Sequence, residues 1–105
     1  MVLTITGKHI EITPTLRSYV QDKTARLPRY YSSIQKIDVI VEGKKEASSK
    51  VKVEIIAKAK RRRVFVAKES GVDPLGVIES AVQKLEQRLR KIKTKERERK
   101  HIKKQ

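Results

Sequence analysis

Apolar residues recur along this chain with two periods, every second position in some stretches and every third or fourth in others. The switch between them predicts the order of elements. Residues 2–7 read as a short strand, with Leu3 and Ile5 on one face and Thr4 and Thr6 on the other. Thr13-Pro14 predicts a helix start, with a hydroxyl at the N-cap and a proline at the first helical position, where its missing N–H costs nothing. Leu16, Val20 and Leu27 fall on one side of that helix and Tyr19 lies at its edge. Pro28 is expected to end it, because proline disfavours helix at the residue before it.

Two strands come next. Ile37, Val39 and Val41 alternate with Lys36, Asp38 and Ile40, followed by a turn-like stretch from Gly43 to Ser49. In the clearest strand, Val51, Val53, Ile55, Ala57 and Ala59 face one way, and Lys50, Lys52, Glu54, Ile56, Lys58 and Lys60 the other. Arg61 to Arg63 make the turn into a fourth strand, Val64 to Glu69, in which Phe65 and Ala67 are taken as inward. Asp73-Pro74 repeats the cap-then-proline start, and Leu75, Ile78, Val82, Leu85, Leu89 and Ile92 then recur at helical spacing. Beyond Ile92 the apolar positions stop apart from Ile102, so residues 94–105 are either a solvated helical extension or a disordered tail. The order strand, helix, three strands, helix predicts an α+β fold. It is a two-layer β-α-β-β-β-α sandwich, with a four-stranded mixed sheet carrying two helices on one face. A right-handed crossover through the first helix makes the first two strands parallel.

Length and composition narrow the function. A chain of 105 residues fits one domain. It has no cysteine, which excludes disulfides and thiolate chemistry and is compatible with a reducing cytosol. Neither a membrane-length apolar run nor a signal-peptide pattern is present in these residues, so the expectation is a cytoplasmic protein without a membrane partner. Lys and Arg number 27 against 12 Asp and Glu, a formal net charge of +15. Residues 84–105 hold eleven basic and three acidic side chains and the other 83 residues sixteen and nine, so the excess is not confined to the tail. That balance favours a polyanionic partner.

Catalysis finds no support. His9 and His101 are far apart, and there is no His-Glu-x-x-His pair, nucleophile elbow or phosphate-cradling glycine loop. The acids Glu11, Asp22, Asp38 and Glu54 fall on different elements. The expectation is a protein that is not an enzyme and uses no cofactor, metal or small-molecule substrate. The basic residues are better placed. On the last helix Lys84, Arg88, Lys91 and Lys95 recur at steps of four, three and four and form a stripe beside the apolar one, with Arg90 off it. Glu86 is the only acid between positions 80 and 95, so the stripe lacks compensation along its own helix. Lys23, Arg26 and Arg29 cluster in the last turns of the first helix, and the two sets are expected to join into one electropositive patch. The lysines at 50, 52, 58 and 60 fit an RNA-facing surface, an ordinary wet face or an edge-blocking row equally well. Four aromatic residues are too few for base stacking across a sheet, which points to recognition of structured RNA by shape and phosphate.

Two segments carry a family resemblance. Ile5-Thr6-Gly7-Lys8-His9-Ile10-Glu11-Ile12-Thr13-Pro14, with Leu16-Arg17 and Tyr19-Val20, resembles the opening of the ribosome hibernation promoting factor family. Lys84-Leu85-Glu86-Gln87-Arg88-Leu89-Arg90-Lys91 resembles the same family near its other end. The likeness covers residues 1–95, leaving 96–105 as a basic extension. It implies the β-α-β-β-β-α fold and binding to the small ribosomal subunit, over the channel for messenger and transfer RNA. Translation then stops and idle ribosomes are preserved in stress or stationary phase. The family's basic positions match Lys23, Arg26 and Arg29 on the first helix and Lys84, Lys91 and Lys95 on the last. One family arginine aligns with Gln87, beside Arg88. The chain departs from the family at Asp73-Pro74-Leu75, where an aromatic ring is usual, and in its basic rather than acidic ending. The second, dimerising domain of long members has no room in these residues, and the expectation is a monomer off the ribosome. The other readings are a general structured-RNA binder (a ribosomal component or RNA chaperone) and a coiled-coil interaction module built on the last helix.

Overall fold

A computed structural model describes residues 1–43 and 50–103, with side chains described as far as Lys93. The strands are β1 (Val2–Lys8), β2 (Ile34–Gly43), β3 (Val51–Ala59) and β4 (Arg63–Gly71), and the helices α1 (Pro14–Thr24), α2 (Leu27–Tyr30) and α3 (Pro74–Lys103). A tight connection, Lys60–Arg62, joins β3 to β4, with Arg61 and Arg62 in the left-handed backbone region. The sheet order is β1-β2-β3-β4, parallel between β1 and β2 and antiparallel elsewhere, as the crossover argument requires.

Register explains why one face is dry. Ile37, Val39 and Val41 of β2 stand opposite Ala57, Ile55 and Val53 of β3, and Ala57 and Ile55 stand opposite Phe65 and Ala67 of β4. All are buried, and the helices cover them with Leu16, Val20, Leu27, Ile78, Val82, Leu85 and Leu89. Each fully buried aliphatic side chain contributes about 1.5–3 kcal/mol, so this face carries the stability of the domain. Val77 and Ala81 widen the apolar stripe of α3 beyond the expected residues, because the helix packs on β3 and β4 and also against α1 and α2.

Both long helices start as expected. The Thr13 hydroxyl accepts the Leu16 N–H at 3.2 Å, and the Asp73 carboxylate accepts the Leu75 N–H at 3.3 Å. Pro28 acts differently from the expectation. The first helix already stops at Thr24, whose buried hydroxyl bonds back to the Val20 carbonyl at 2.7 Å, and Pro28 sits in the first turn of the separate α2. Proline fits the opening turn of a helix as readily as it blocks continuation. Arg26 therefore sits at the position just before α2, making no side-chain cap, and Arg29 lies within α2, not on α1.

Beyond Ile92 the backbone of α3 stays helical to Lys103. The turn expected after Gly43 lies outside the described residues, as do the side chains of Lys95 and residues 96–105. The loop leading into α1 folds against the sheet end. A Cβ on Gly43 would fall 2.8 Å from the His9 carbonyl oxygen, and one on Gly7 would fall 2.6 Å from that of Ile10.

Candidate nucleic-acid interface

Burial of Ile78, Val82, Leu85 and Leu89 fixes how α3 is rotated about its axis. At 100° per residue, Glu79, Glu86 and Arg90 then project from one flank, and Lys84, Arg88 and Lys91 from the other, with Gln87 on the crest between them. The contacts of each flank agree with that geometry.

On the flank facing α1 and α2, cations meet acids and rings. Lys23 pairs with Glu79 at 3.2 Å and lies over the Tyr19 ring, 5.3 Å from its centroid. The Tyr19 hydroxyl donates to the same carboxylate at 3.3 Å. Loss of solvent around that phenol, then the negative charge of Glu79, raises its pKa above the ordinary tyrosine value. Arg26 pairs with Glu86 at 3.4 Å, and Arg90 stands over the Tyr30 ring at 4.8 Å. Arg29 is exposed on α2, without an ion pair to a described residue.

On the other flank the partners belong to β4, the edge strand. The Lys84 ammonium reaches Glu69 at 3.2 Å and the Lys68 carbonyl at 3.4 Å. Arg88 donates to the Val66 carbonyl, and Lys91 is exposed with no described partner. Going up α3 thus means going back along β4, towards the hairpin that joins it to β3.

The candidate cations of the sequence are therefore not gathered into one patch. Lys23, Arg26 and Arg29 lie on one side of α3 and Lys84, Arg88 and Lys91 on the other. The apparent lack of compensation also needs correcting: the acids come from other elements, Glu79 and Glu86 for the first set and Glu69 of β4 for Lys84. The more exposed pairs, Lys23–Glu79 and Lys84–Glu69, contribute only about 0–1 kcal/mol, so a phosphate can displace them; the Arg26–Glu86 pair is half-buried. Arg29, Arg88 and Lys91 stay unneutralised by any acid among the described residues.

The lysine row of β3 resolves differently. Lys52 and Lys58 share the open face of the sheet with Asp38, Glu42 and Glu54, and Asp38 lies within 3.6 Å of Lys36 and 3.7 Å of Lys58. A shallow depression there is lined by Lys8, Glu42, Lys52, Glu54, Lys68 and Ser70. This is a mixed-charge wet face, and β3 is a central strand, so edge blocking is not its purpose. Sequence reasoning treated Arg61–Arg63 only as a turn and placed Lys60 on the strand before it. The run of four basic residues, Lys60–Arg63, was the available signal for an exposed cationic hairpin tip. Among the described residues, no group of three or more His, Asp or Glu side chains is placed to hold a metal, and no helix is long and apolar enough to cross a membrane.

Comparison with known proteins gives one consistent result. A family model described as Sigma 54 modulation protein / S30EA ribosomal protein matches residues 3–97. A ribosome hibernation promotion factor of Lactococcus lactis is 31% identical over 90 residues, covering 86% of this chain and 48% of its own length. The chain thus spans about half the length of that relative. A ribosome hibernation promoting factor of Pseudomonas putida is 32% identical over 102 residues, covering 91% of this chain and 90% of the relative. The structure of a ribosomal subunit interface protein from Coxiella burnetii superposes with a TM-score of 0.79 at 26% identity, covering 90% of this chain and 99% of that one.

Proposed function

Because this chain belongs to the Sigma 54 modulation protein / S30EA ribosomal protein family, we propose that it is a ribosome hibernation factor that binds the small ribosomal subunit through ribosomal RNA. It occupies the channel used by messenger and transfer RNA and halts translation, which preserves idle ribosomes under stress or in stationary phase. It acts in the cytoplasm by binding alone, without a catalysed step, and is a monomer away from the ribosome. Relatives named as hibernation factors and a subunit interface protein support this reading.

The observation that carries it is the line Lys84, Arg88 and Lys91 along the β4 flank of α3, exposed throughout, on a chain of net charge +15. The rings support recognition of phosphate rather than bases. Tyr31 and Phe65 are buried against each other, and Tyr19 and Tyr30 are covered by Lys23 and Arg90. Base stacking needs free ring faces.

The test is co-sedimentation with purified small subunits together with inhibition of in vitro translation. The variant Lys84→Glu/Arg88→Glu/Lys91→Glu should keep its circular dichroism spectrum, since none of the three is buried. Loss of three phosphate contacts should make the slope of log K against log salt less negative by about 2.7. Undiminished translation at saturating wild-type protein would rule the function out. Equal affinity for free structured RNA would favour a general RNA binder instead.

A further inference from the structure

We infer that the tip of the β3–β4 hairpin, Lys60, Arg61 and Arg62, is a second contact for RNA phosphates, continuing the line of Lys84, Arg88 and Lys91. The inference rests on the RNA-binding reading and adds to it a site on a different element.

Backbone conformation is the first observation. Arg61 has φ 63° and ψ 33°, and Arg62 has φ 58°. Consecutive left-handed residues at a hairpin tip are the preserve of Asn-Gly and similar pairs, because a Cβ is penalised there. Two arginines break that rule. A stability reason would be an intramolecular partner for the guanidinium groups, yet Lys60, Arg61 and Arg62 are exposed and pair with no described acid. Residues that strain a turn without a local return mark functional positions.

The tip is also held in place. The Lys60 N–H donates to the Ser33 carbonyl at 3.1 Å, and Arg63 donates to the Tyr31 hydroxyl at 2.9 Å. Tyr31 packs edge-to-face on Phe65 at 5.3 Å, so the base of the hairpin is tied to the core. The three cations are presented from a fixed position rather than a loose loop.

Direction supplies the third observation. Lys84 touches Lys68 and Arg88 touches Val66, so one turn of α3 matches two residues of β4. Followed further, that match carries the helix to the level of the hairpin tip, about 20 Å from Lys84 at ~3.3 Å per strand residue. Lys84, Arg88, Lys91 and the tip thus form a single track along the β4 edge. A linear, rigid track suits the backbone of folded RNA. A lipid surface would call for an apolar face beside the charges.

The variant Arg61→Asn/Arg62→Gly tests this in the full chain, since it removes two charges while installing residues suited to the turn. Its melting temperature should hold or rise by about 5 °C. Its log–log salt slope on purified small subunits should become less negative by about 1.8. Counted down from 1 M salt, where the charge contribution vanishes, that is a loss of about 30-fold in affinity at 0.15 M. Arg61→Lys/Arg62→Lys should bind within about threefold of wild type. Wild-type slope and affinity in the Asn-Gly variant, alongside failure of the Lys84/Arg88/Lys91 variant, would overturn the tip site and leave the ribosome reading intact. Wild-type binding in both variants would overturn the tip site and the Lys84/Arg88/Lys91 line together, whereas failure of the wild-type protein to bind small subunits would overturn the ribosome reading itself. Lost binding to phosphatidylserine vesicles with unchanged subunit binding would overturn the tip site in favour of lipid.

Discussion

Under the proposed function, folding and RNA binding make opposing demands on Glu86. Its side chain is 13% exposed and meets the Nε of Arg26 at 3.4 Å, while the Arg26 side chain as a whole is 39% exposed. The Nε and Nη2 atoms of Arg26 and the Oε1 of Glu86 are individually buried, and no hydrogen bond joins them. Breaking a fully buried pair costs about 3–5 kcal/mol, and an exposed pair is worth about 0–1 kcal/mol. This half-buried pair falls between, so Glu86→Gln should destabilise by about 1–2 kcal/mol. For a domain of this size that lowers the melting temperature by about 5–10 °C. The same substitution frees the Arg26 charge. One added phosphate contact steepens the log–log salt slope by about 0.9, a gain of about fivefold in affinity for small subunits at 0.15 M salt. Thermal melts followed by circular dichroism and sedimentation binding over a salt series measure the two effects on one protein sample. The double variant Arg26→Met/Glu86→Leu should regain or exceed wild-type stability, because apolar pairs often replace buried ion pairs without loss, but should not bind more tightly. A Glu86→Gln protein with unchanged melting temperature would refute the ion pair. A destabilised one whose affinity falls would refute the idea that Arg26 faces RNA.

Two further predictions concern the core and the α1–α3 seam. Leu85→Ala leaves a cavity at a fully buried position shared by α3 and the sheet; it should cost about 2–5 kcal/mol, read as a shift of the urea midpoint with unchanged slope. Tyr19 has a folded-state pKa above its unfolded value near 10, so its contribution is complete below pH 10 and is lost as pH rises through the folded value. Wild type should therefore lose stability more steeply above pH 10 than Tyr19→Phe, and parallel pH profiles would contradict the Tyr19–Glu79 contact.

Alternation and caps made most of the fold legible. Val51 to Ala59 could only be a half-buried strand, and the choice of Phe65 and Ala67 as inward residues matches their burial. Thr13-Pro14 and Asp73-Pro74 marked the starts of both long helices to the residue. Pro28 misled because its two roles are indistinguishable without knowing that the Ala25–Arg26 step had already left the helix. Ile34 went unassigned because a β-bulge follows it and breaks the alternation. The candidate site was legible as residue types but not as a surface. Pairing of Lys23, Arg26 and Lys84 with Glu79, Glu86 and Glu69 joins residues from 15 to 60 positions apart, and helical spacing cannot report such contacts. Left-handed φ at Arg61 and Arg62 was hidden because arginine is not a residue that signals it.

The contacts of Arg88 and Lys84 with the β4 carbonyls have a kinetic and entropic side. A guanidinium resting on a fixed backbone oxygen has surrendered much of its rotamer freedom during folding, and with five N–H donors and an exposed side chain it keeps donors to spare. A partner arriving at that rim finds its donors already aimed and loses little to ordering them. Occupied by long charged side chains, the same carbonyls are unavailable to a passing strand, so the rim proposed to recruit RNA also discourages the molecule from stacking on copies of itself.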